Sequence, residues 1–140
     1  MAYMKTTLIT ILVMVNYIIF FAVANTKGLC PLGWKVPTYD ELNILLNYLG
    51  YGAGEKLKQA FGWLGVNRGN NNSGFSATPG GRRWYNHGGY DQSNSQGNFW
   101  TSTEYDLVNA KYFYFAYGSI GTFIYNESKN NGFSVRCLKE

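Results

Sequence analysis

The chain has 140 residues, with 12 lysines and arginines, 8 aspartates and glutamates, and a formal net charge of +4 at pH 7. This length suffices for one domain with one hydrophobic core. The basic residues are scattered singly apart from Arg82 and Arg83. Because no basic stripe is present that could follow a phosphate backbone, we expect no nucleic-acid partner.

The first 24 residues have the pattern of a secretory signal peptide. A positive charge precedes a mostly apolar run over residues 8–21, and Ala22-Val23-Ala24 supplies the small residues that a signal peptidase reads. We predict cleavage after this tripeptide and a single mature domain over residues 25–140, secreted or at the cell surface, which meets the membrane only through the transient signal. The alternative is an uncleaved anchor, which needs about 20 apolar residues, whereas Asn16 interrupts a shorter run.

The chain has two cysteines, and they lie near the two ends of the predicted mature domain: Cys30 and Cys137. In an exported chain such a pair is typical of a structural disulfide, which would tie the first ordered residues to the last strand. A reactive thiol pair is less expected because the spacing is not that of a CxxC motif.

The clearest helix signal follows Pro37. Thr38 and Glu41 form a T-x-x-E capping box, in which each side chain accepts a hydrogen bond from the backbone N–H of the other residue. The apolar residues that follow recur at helical spacing: Leu42, Leu45, Leu46 and Leu49. We predict a helix that begins at Thr38 and ends at Gly50. A shorter run of apolar residues at helical spacing predicts a second helix: Leu57, Ala60 and Phe61.

The remainder of the chain divides into a loop region and a set of strands. From Gly62 to Asn98, glycine and asparagine are interspersed with aromatic residues, which predicts a long ordered loop region folded on the domain. Aromatic and β-branched runs then predict an antiparallel meander of four strands: Phe99 to Tyr105, Lys111 to Tyr117, Thr122 to Tyr125 and Phe133 to Leu138. Asn131-Gly132 predicts a hairpin before the last strand. We expect Cys137 to lie on the face of that strand that packs against the helix.

Several separated motifs occur in a characteristic order: Cys30-Pro31, Gly33-Trp34, Val36-Pro37-Thr38 with Glu41, Gly74-Phe75-Ser76-Ala77, Pro79-Gly80-Gly81 with Arg83, Trp100-Thr101-Ser102-Thr103-Glu104, and Gly132-Phe133-Ser134-Val135-Arg136-Cys137. Together they resemble the Fibrobacter succinogenes major paralogous domain, and the resemblance covers Cys30 to Lys139. Two features depart from this family: Leu42 stands where tryptophan is frequent, and the lipoprotein signal of many members is missing.

The resemblance implies an α+β fold of the C-type-lectin-like kind, with one or two N-terminal helices packed on a small antiparallel sheet and a long irregular loop region. It also implies an exported or surface-attached bacterial protein with no established activity, distantly similar to the formylglycine-generating enzymes. Those enzymes use reactive cysteines, whereas both cysteines here match structural positions of the family.

Three carboxylates are candidates for a polysaccharide hydrolase: Asp91, Glu104 and Asp106. Such an enzyme needs two carboxylates about 5–9.5 Å apart across a sugar. His87 could act as a base, but no nucleophile, base and orienting group form a set. We therefore predict a protein that is not an enzyme, with the hydrolase as the weakest alternative.

No cofactor or metal is predicted. Asp91 is the single charged oxygen ligand in the loop region, and calcium needs six to eight oxygens, often from several carboxylates. Asparagine carbonyls could supply further oxygens, so a weak calcium site stays an alternative. Zinc is not expected, because the chain has one histidine and both cysteines are predicted to be bonded to each other.

The leading functional hypothesis is a non-enzymatic recognition module that binds a glycan or a protein. The stretch from Trp84 to Tyr90 combines three large rings with small residues, and we expect Tyr85, His87 and Tyr90 to be its exposed members. Trp84 is as consistent with a core position as with an exposed one. An architectural surface protein without a small ligand is the second hypothesis.

A structural ion pair is also predicted from the charged residues in the family motifs. Glu104 lies within a strand motif, and we expect Arg83 or Arg136 to pair with its carboxylate, because a buried charge without a partner is costly.

Overall fold

The computed structural model describes residues 13–25, 28–66 and 69–140, with the side chains described from residue 17 onward. Residues 1–12 of the predicted signal lie outside this part of the chain. The described residues form a mixed α+β fold, as expected. Its elements are β1 (Val13–Ile18), α1 (Phe20–Val23), β2 (Trp34–Lys35), α2 (Tyr39–Leu49), α3 (Ala53–Leu57), β3 (Arg82–Arg83), β4 (Tyr90–Asp91), β5 (Gln96–Glu104), β6 (Asn109–Ala116), β7 (Phe123–Ser128), β8 (Phe133–Arg136) and β9 (Leu138–Lys139).

The main sheet has five strands in the order β1-β8-β5-β6-β7. The predicted antiparallel meander is confirmed for β5, β6 and β7 but is wrong for the last strand. β8 crosses to the far side of β5 and pairs with it in parallel, with Phe99 opposite Ser134. β6 is an interior strand, as its apolar residues on both faces predict.

The Asn131-Gly132 signal therefore does not make a hairpin between β7 and β8. Gly132 instead exchanges two backbone hydrogen bonds of 2.9 Å with Arg83. A Cβ at position 132 would lie 2.7 Å from the Cβ of Tyr17. Gly132 thus allows the segments that contain Tyr17 and Arg83 to approach its backbone closely. The Asn-Gly hairpin signal does not predict this role.

The predicted helix is confirmed as α2, together with its capping box. The Glu41 N–H donates to the Thr38 hydroxyl at 3.2 Å, and the Thr38 N–H donates to the Glu41 carboxylate at 2.9 Å. Leu42 and Leu45 are buried against the sheet in a cluster that includes Phe99. The second helix is also present, but it ends at Leu57, whereas Phe61 is exposed.

The sheet separates two apolar clusters, because side chains alternate between its faces. The cluster under α2 contains Phe99, Phe113 and Phe115. The opposite cluster contains Trp100, Phe133, Val135 and Cys137, and it is covered by α1. The expectation that Cys137 lies on the face packed by α2 is therefore wrong.

The predicted disulfide is confirmed. Cys30 and Cys137 are bonded, with their Cα atoms 5.8 Å apart and a sequence separation of 107. No other cysteine is present in the chain. The bond joins the segment before β2 to the residue between β8 and β9.

The loop region is held to the body of the domain by a buried lysine. Lys58 directly follows α3 and is fully buried. Its Nζ donates to the backbone carbonyls of Ala116 at 3.0 Å and Ser119 at 2.6 Å and lies 5.1 Å from the centroid of the Trp63 ring. Burial lowers the pKa of this ammonium group. The cation therefore links α3 and the loop region to the end of β6.

A row of aromatic rings crosses β6 and β7 on the face opposite α2. Tyr114 stacks on Phe123, Tyr112 and Tyr125, with centroid separations of 4.9, 6.1 and 6.0 Å. Tyr112 is buried at one end of the row, and burial raises its pKa to about 12. Tyr125 is exposed.

The Tyr112→Phe variant should be more stable than the wild type at strongly alkaline pH. Because the folded state keeps the Tyr112 proton above the ordinary pKa of 10, its contribution to stability is complete below pH 10 and is lost as the pH rises towards 12. The wild type should lose about 2–3 kcal/mol relative to the variant over that interval. Urea unfolding at pH 9 and pH 12 measures this difference, with Tyr125→Phe as the control for loss of one hydroxyl group from the row. Equal pH profiles for wild type and Tyr112→Phe would contradict it.

The N-terminal part of the described chain occupies a position that the sequence analysis did not anticipate. β1 and α1 lie inside the segment predicted as a signal peptide, yet β1 pairs with β8 and α1 covers Trp100. In this structure the folded unit therefore begins before residue 25. Within the described residues, no helix is long and apolar enough to cross a membrane.

Candidate functional site

The candidate site is built on the short hairpin formed by β3 and β4. Arg82 pairs with Asp91 across the two strands, and Arg83 pairs with Tyr90. The Asp91 carboxylate accepts hydrogen bonds from Arg82 Nε at 3.0 Å and from the indole N–H of Trp84 at 2.8 Å. The Arg82 guanidinium lies 4.0 Å from the centroid of the Trp84 ring. Asp91 thus holds the two strands of the hairpin and the Trp84 side chain together.

The hairpin is attached to the sheet at its base. Besides the two bonds between Arg83 and Gly132, the Tyr85 N–H donates to the Asn131 side-chain oxygen at 3.1 Å. Asn131 is fully buried, and Gly81 N–H donates to the Gln96 carbonyl at 2.8 Å. These bonds fix the orientation of the hairpin relative to β5 and β8.

Three predicted residues project from this fixed hairpin. Tyr85 is 54% exposed and Tyr90 is 64% exposed, and His87 is exposed between them in sequence. Trp84 is half-buried, intermediate between the two positions considered for it. The expected exposure of Tyr85, His87 and Tyr90 is therefore confirmed, while binding by these residues stays a prediction.

Further groups border the same rings. The ring of Tyr17 packs edge-on against Tyr90 at a centroid separation of 4.7 Å, and its hydroxyl donates to the Gly80 carbonyl at 3.2 Å. The Arg83 guanidinium lies 5.9 Å from the Tyr90 centroid. We call Tyr17, Arg83, Tyr85, His87 and Tyr90 the hairpin surface.

The hairpin surface can form both apolar and polar contacts. The rings supply apolar edges and faces, the tyrosine hydroxyls donate and accept hydrogen bonds, and Arg83 adds a cation. His87 Nδ1 accepts from the Gly89 N–H at 3.0 Å, so Nε2 is the donor of the neutral ring. Tyr17 escaped the sequence analysis because it lies in the predicted signal. The hydroxyl of Tyr17 and the amide of the neighbouring Asn16 are both unusual in an apolar leader. They were the one sequence feature that could have indicated a role for this segment in the folded domain.

The predicted ion pair of Glu104 with Arg83 or Arg136 is wrong. The carboxylate of Glu104 is mostly exposed, and its partner among the described residues is Lys129, with an N···O distance of 3.5 Å. The parallel register that places Phe99 opposite Ser134 brings Arg136 level with Thr101, not with Glu104. Arg83 belongs to the hairpin surface instead.

Arg136 is buried under the α2 face of the sheet. It is 1% exposed, and its guanidinium lies 5.2 Å from the centroid of the Phe75 ring. Its Nε and Nη1 have no hydrogen-bond acceptor among the described residues. Burial lowers the pKa of Arg136 to about 9, so the group carries its charge at neutral pH.

The carboxylates considered for catalysis have local structural partners. Asp106 accepts hydrogen bonds from the backbone N–H groups of Asn109 at 2.7 Å and Val108 at 2.8 Å, and these bonds lower its pKa. Asp91 holds Arg82 and Trp84, as described above. In the described part of the chain, no three His, Cys, Asp or Glu residues are grouped as a metal site would require.

A cleft lies near the disulfide. It has a volume of about 330 Å³ and is lined by Val23 of α1, by Cys30, Trp34 and Lys35, and by Glu140, among others. Of the residues singled out from sequence as functional or disulfide-bonded, Cys30 lines it. The hairpin surface does not contribute to this cleft.

The fold and the site define a small, disulfide-linked α+β domain that displays an aromatic hairpin. Residues 12–139 match the model of the Fibrobacter succinogenes major domain, so the chain belongs to this family. The match begins at residue 12 and thus includes β1 and α1. Searches of curated proteins and of solved structures found no match to the chain.

Proposed function

We propose that the protein is an extracytoplasmic, non-enzymatic recognition module with a C-type-lectin-like fold, which binds a glycan or a protein through the hairpin surface. The observation that carries this proposal is the joint exposure of Tyr85, His87 and Tyr90 on a hairpin fixed by Asp91 and Asn131. A rigid aromatic surface loses little conformational entropy on binding, which favours recognition.

Two further observations support this proposal. The disulfide is typical of an oxidising compartment outside the cytoplasm. The carboxylates considered for catalysis are engaged in local structure or paired with Lys129, and this arrangement favours a binding role over hydrolysis. An architectural surface protein without a small ligand is the alternative function, and no specific contact favours it.

Removing the rings of the hairpin surface should weaken binding without unfolding the domain. A screen of the protein against glycans and surface proteins identifies the partner, and Tyr85→Ala and Tyr90→Ala are then compared with the wild type by calorimetry. At least one of the two variants should bind about 30-fold more weakly, equivalent to about 2 kcal/mol.

Tyr105→Ala is a suitable control, because Tyr105 is similarly exposed but lies at the end of β5, outside the hairpin surface. Unchanged affinity in both hairpin variants, with thermal unfolding intact, would place the site elsewhere. A screen that yields no partner would favour the architectural alternative.

A further inference from the structure

The segment predicted as a leader is bonded to the rest of the domain through its backbone. Ile18 lies opposite Phe133 of β8, and its carbonyl accepts a hydrogen bond of 2.7 Å from the indole N–H of Trp100. The backbone N–H of Phe20 donates to the Lys129 carbonyl at 3.0 Å. These contacts involve three separate parts of the C-terminal half, so they specify one position for the segment.

The same segment closes one of the two apolar clusters. Phe20 is 1% exposed and packs edge-on against Trp100 with a centroid separation of 5.6 Å. Ile18 and Val23 are buried in the same cluster as Phe133 and Val135. Without this segment, the indole and the apolar face of β8 would be open to water, a large loss for a domain of this size.

The C-terminal half is also shaped to receive the segment. Gly132 leaves room for Tyr17, since a Cβ at position 132 would lie 2.7 Å from the Tyr17 Cβ and 3.0 Å from its carbonyl oxygen. The family match, which begins at residue 12, includes the segment independently of these contacts.

We propose that residues 13–24 are a permanent part of the folded domain, seated in a groove formed by β8, Trp100 and the 128–132 turn. The occupant of this groove is the chain's own apolar segment, which serves as first strand and first helix. Retention of the segment keeps Tyr17 in the hairpin surface of the mature protein, a point that matters for recognition only if the proposed function holds. The retention of the segment does not depend on that function.

A cut introduced after folding tests the retention directly. A site for a specific protease is placed at residues 26–27 of the full chain, and the folded, oxidised protein is cleaved there. The disulfide joins residues 30 and 137, so it does not hold the released N-terminal fragment. We expect the fragment to co-elute with the 28–140 body under native conditions and to separate in denaturant. Loss of the fragment accompanied by unfolding of the body would also support the proposal.

Two neighbouring phenylalanines of α1 provide a matched pair of variants. Phe20 is buried, whereas Phe21 is 55% exposed. Phe20→Ala should weaken retention of the cut fragment by about 100-fold or more, as expected for a large-to-small change in a packed core. Phe21→Ala should change retention little.

The proposal is overturned if the fragment leaves while the body keeps its circular dichroism spectrum and melting temperature. It is equally overturned if the exported protein is folded, begins at Asn25 by intact mass, and carries no bound peptide. Neither readout involves a ligand, so failure of the proposed recognition function would leave this result unaffected.

Discussion

Replacement of Lys58 by methionine is expected to lower the free energy of unfolding by about 1–3 kcal/mol. The substitution keeps an unbranched chain of similar length but removes the donor that satisfies the carbonyls of Ala116 and Ser119. An acceptor that loses its partner away from water costs about 1–3 kcal/mol. The Ser119 carbonyl loses the ammonium donor here, whereas the Ala116 carbonyl keeps a hydrogen bond of 3.4 Å from the Ser119 N–H. Urea unfolding at pH 7 measures the change.

Arg136→Met is the matched comparison for Lys58→Met, because it also replaces a buried cation with methionine. Arg136 is also a buried cation, but its Nε and Nη1 satisfy no acceptor among the described residues. Replacing such a charge with an apolar side chain is often neutral or stabilising by about 1–4 kcal/mol. We therefore expect Arg136→Met to be at least as stable as the wild type. Equal destabilisation by both substitutions would show that the lost hydrogen bonds to the backbone carbonyls are not what makes Lys58 important.

The pH dependence gives a second check on Lys58. Burial lowers its pKa below the ordinary value of 10.5, so at alkaline pH the unfolded chain binds more protons at this group than the folded one. The stability of the wild type relative to Lys58→Met should therefore rise as the pH approaches 10.5. A difference that does not vary with pH would argue against a desolvated ammonium group.

Removal of the disulfide should have the other large effect. The bond closes a loop of 107 positions, for which the loss of chain entropy in the unfolded state corresponds to about 4.7 kcal/mol, and native-state strain usually leaves roughly 2–4 kcal/mol. The Cys30→Ala/Cys137→Ala double variant should be less stable by that amount. Alanine is preferred to serine because Cys137 is buried.

Denaturant unfolding of the double variant, beside the wild type with and without reductant, measures this contribution. The reduced wild type should approach the stability of the double variant. Two titratable thiols in the folded, unreduced protein would contradict the bond itself.

Features determined by local sequence could be predicted. The Thr38–Glu41 capping box, the leucine stripe of α2 and the end at Gly50 depend on neighbours within one or two helical turns, and all three are present in the structure. The family motifs predicted the family membership for a similar reason, because each motif is recognisable without the rest of the fold. The disulfide was predicted from the presence of only two cysteines, near the two ends of the predicted mature domain.

Features determined by long-range pairing could not be predicted. The position of β8 beside β5 depends on contacts between residues about 35 positions apart in sequence. Because of this strand order, Arg136 lies over Phe75 and not beside Glu104. Composition could not decide the role of residues 13–24, because an apolar run is compatible both with the predicted leader and with the strand and helix that these residues form in the structure. The exposure of Tyr85 and Tyr90 was predictable from the glycines around them, whereas the contribution of Tyr17 required the fold.

The Cys30–Cys137 bond also determines how the domain carries mechanical load. A force applied between residue 28 and residue 140 passes through the sulfur–sulfur bond, so residues 31–136 are shielded from tension. A force applied at residue 13 instead acts first on β1 and α1, which lie N-terminal to the covalent loop and are held by hydrogen bonds and packing alone. Tension would therefore act on this segment without the protection that the disulfide gives to residues 31–136, and if the segment detached, Tyr17 would leave the side of Tyr90 with it.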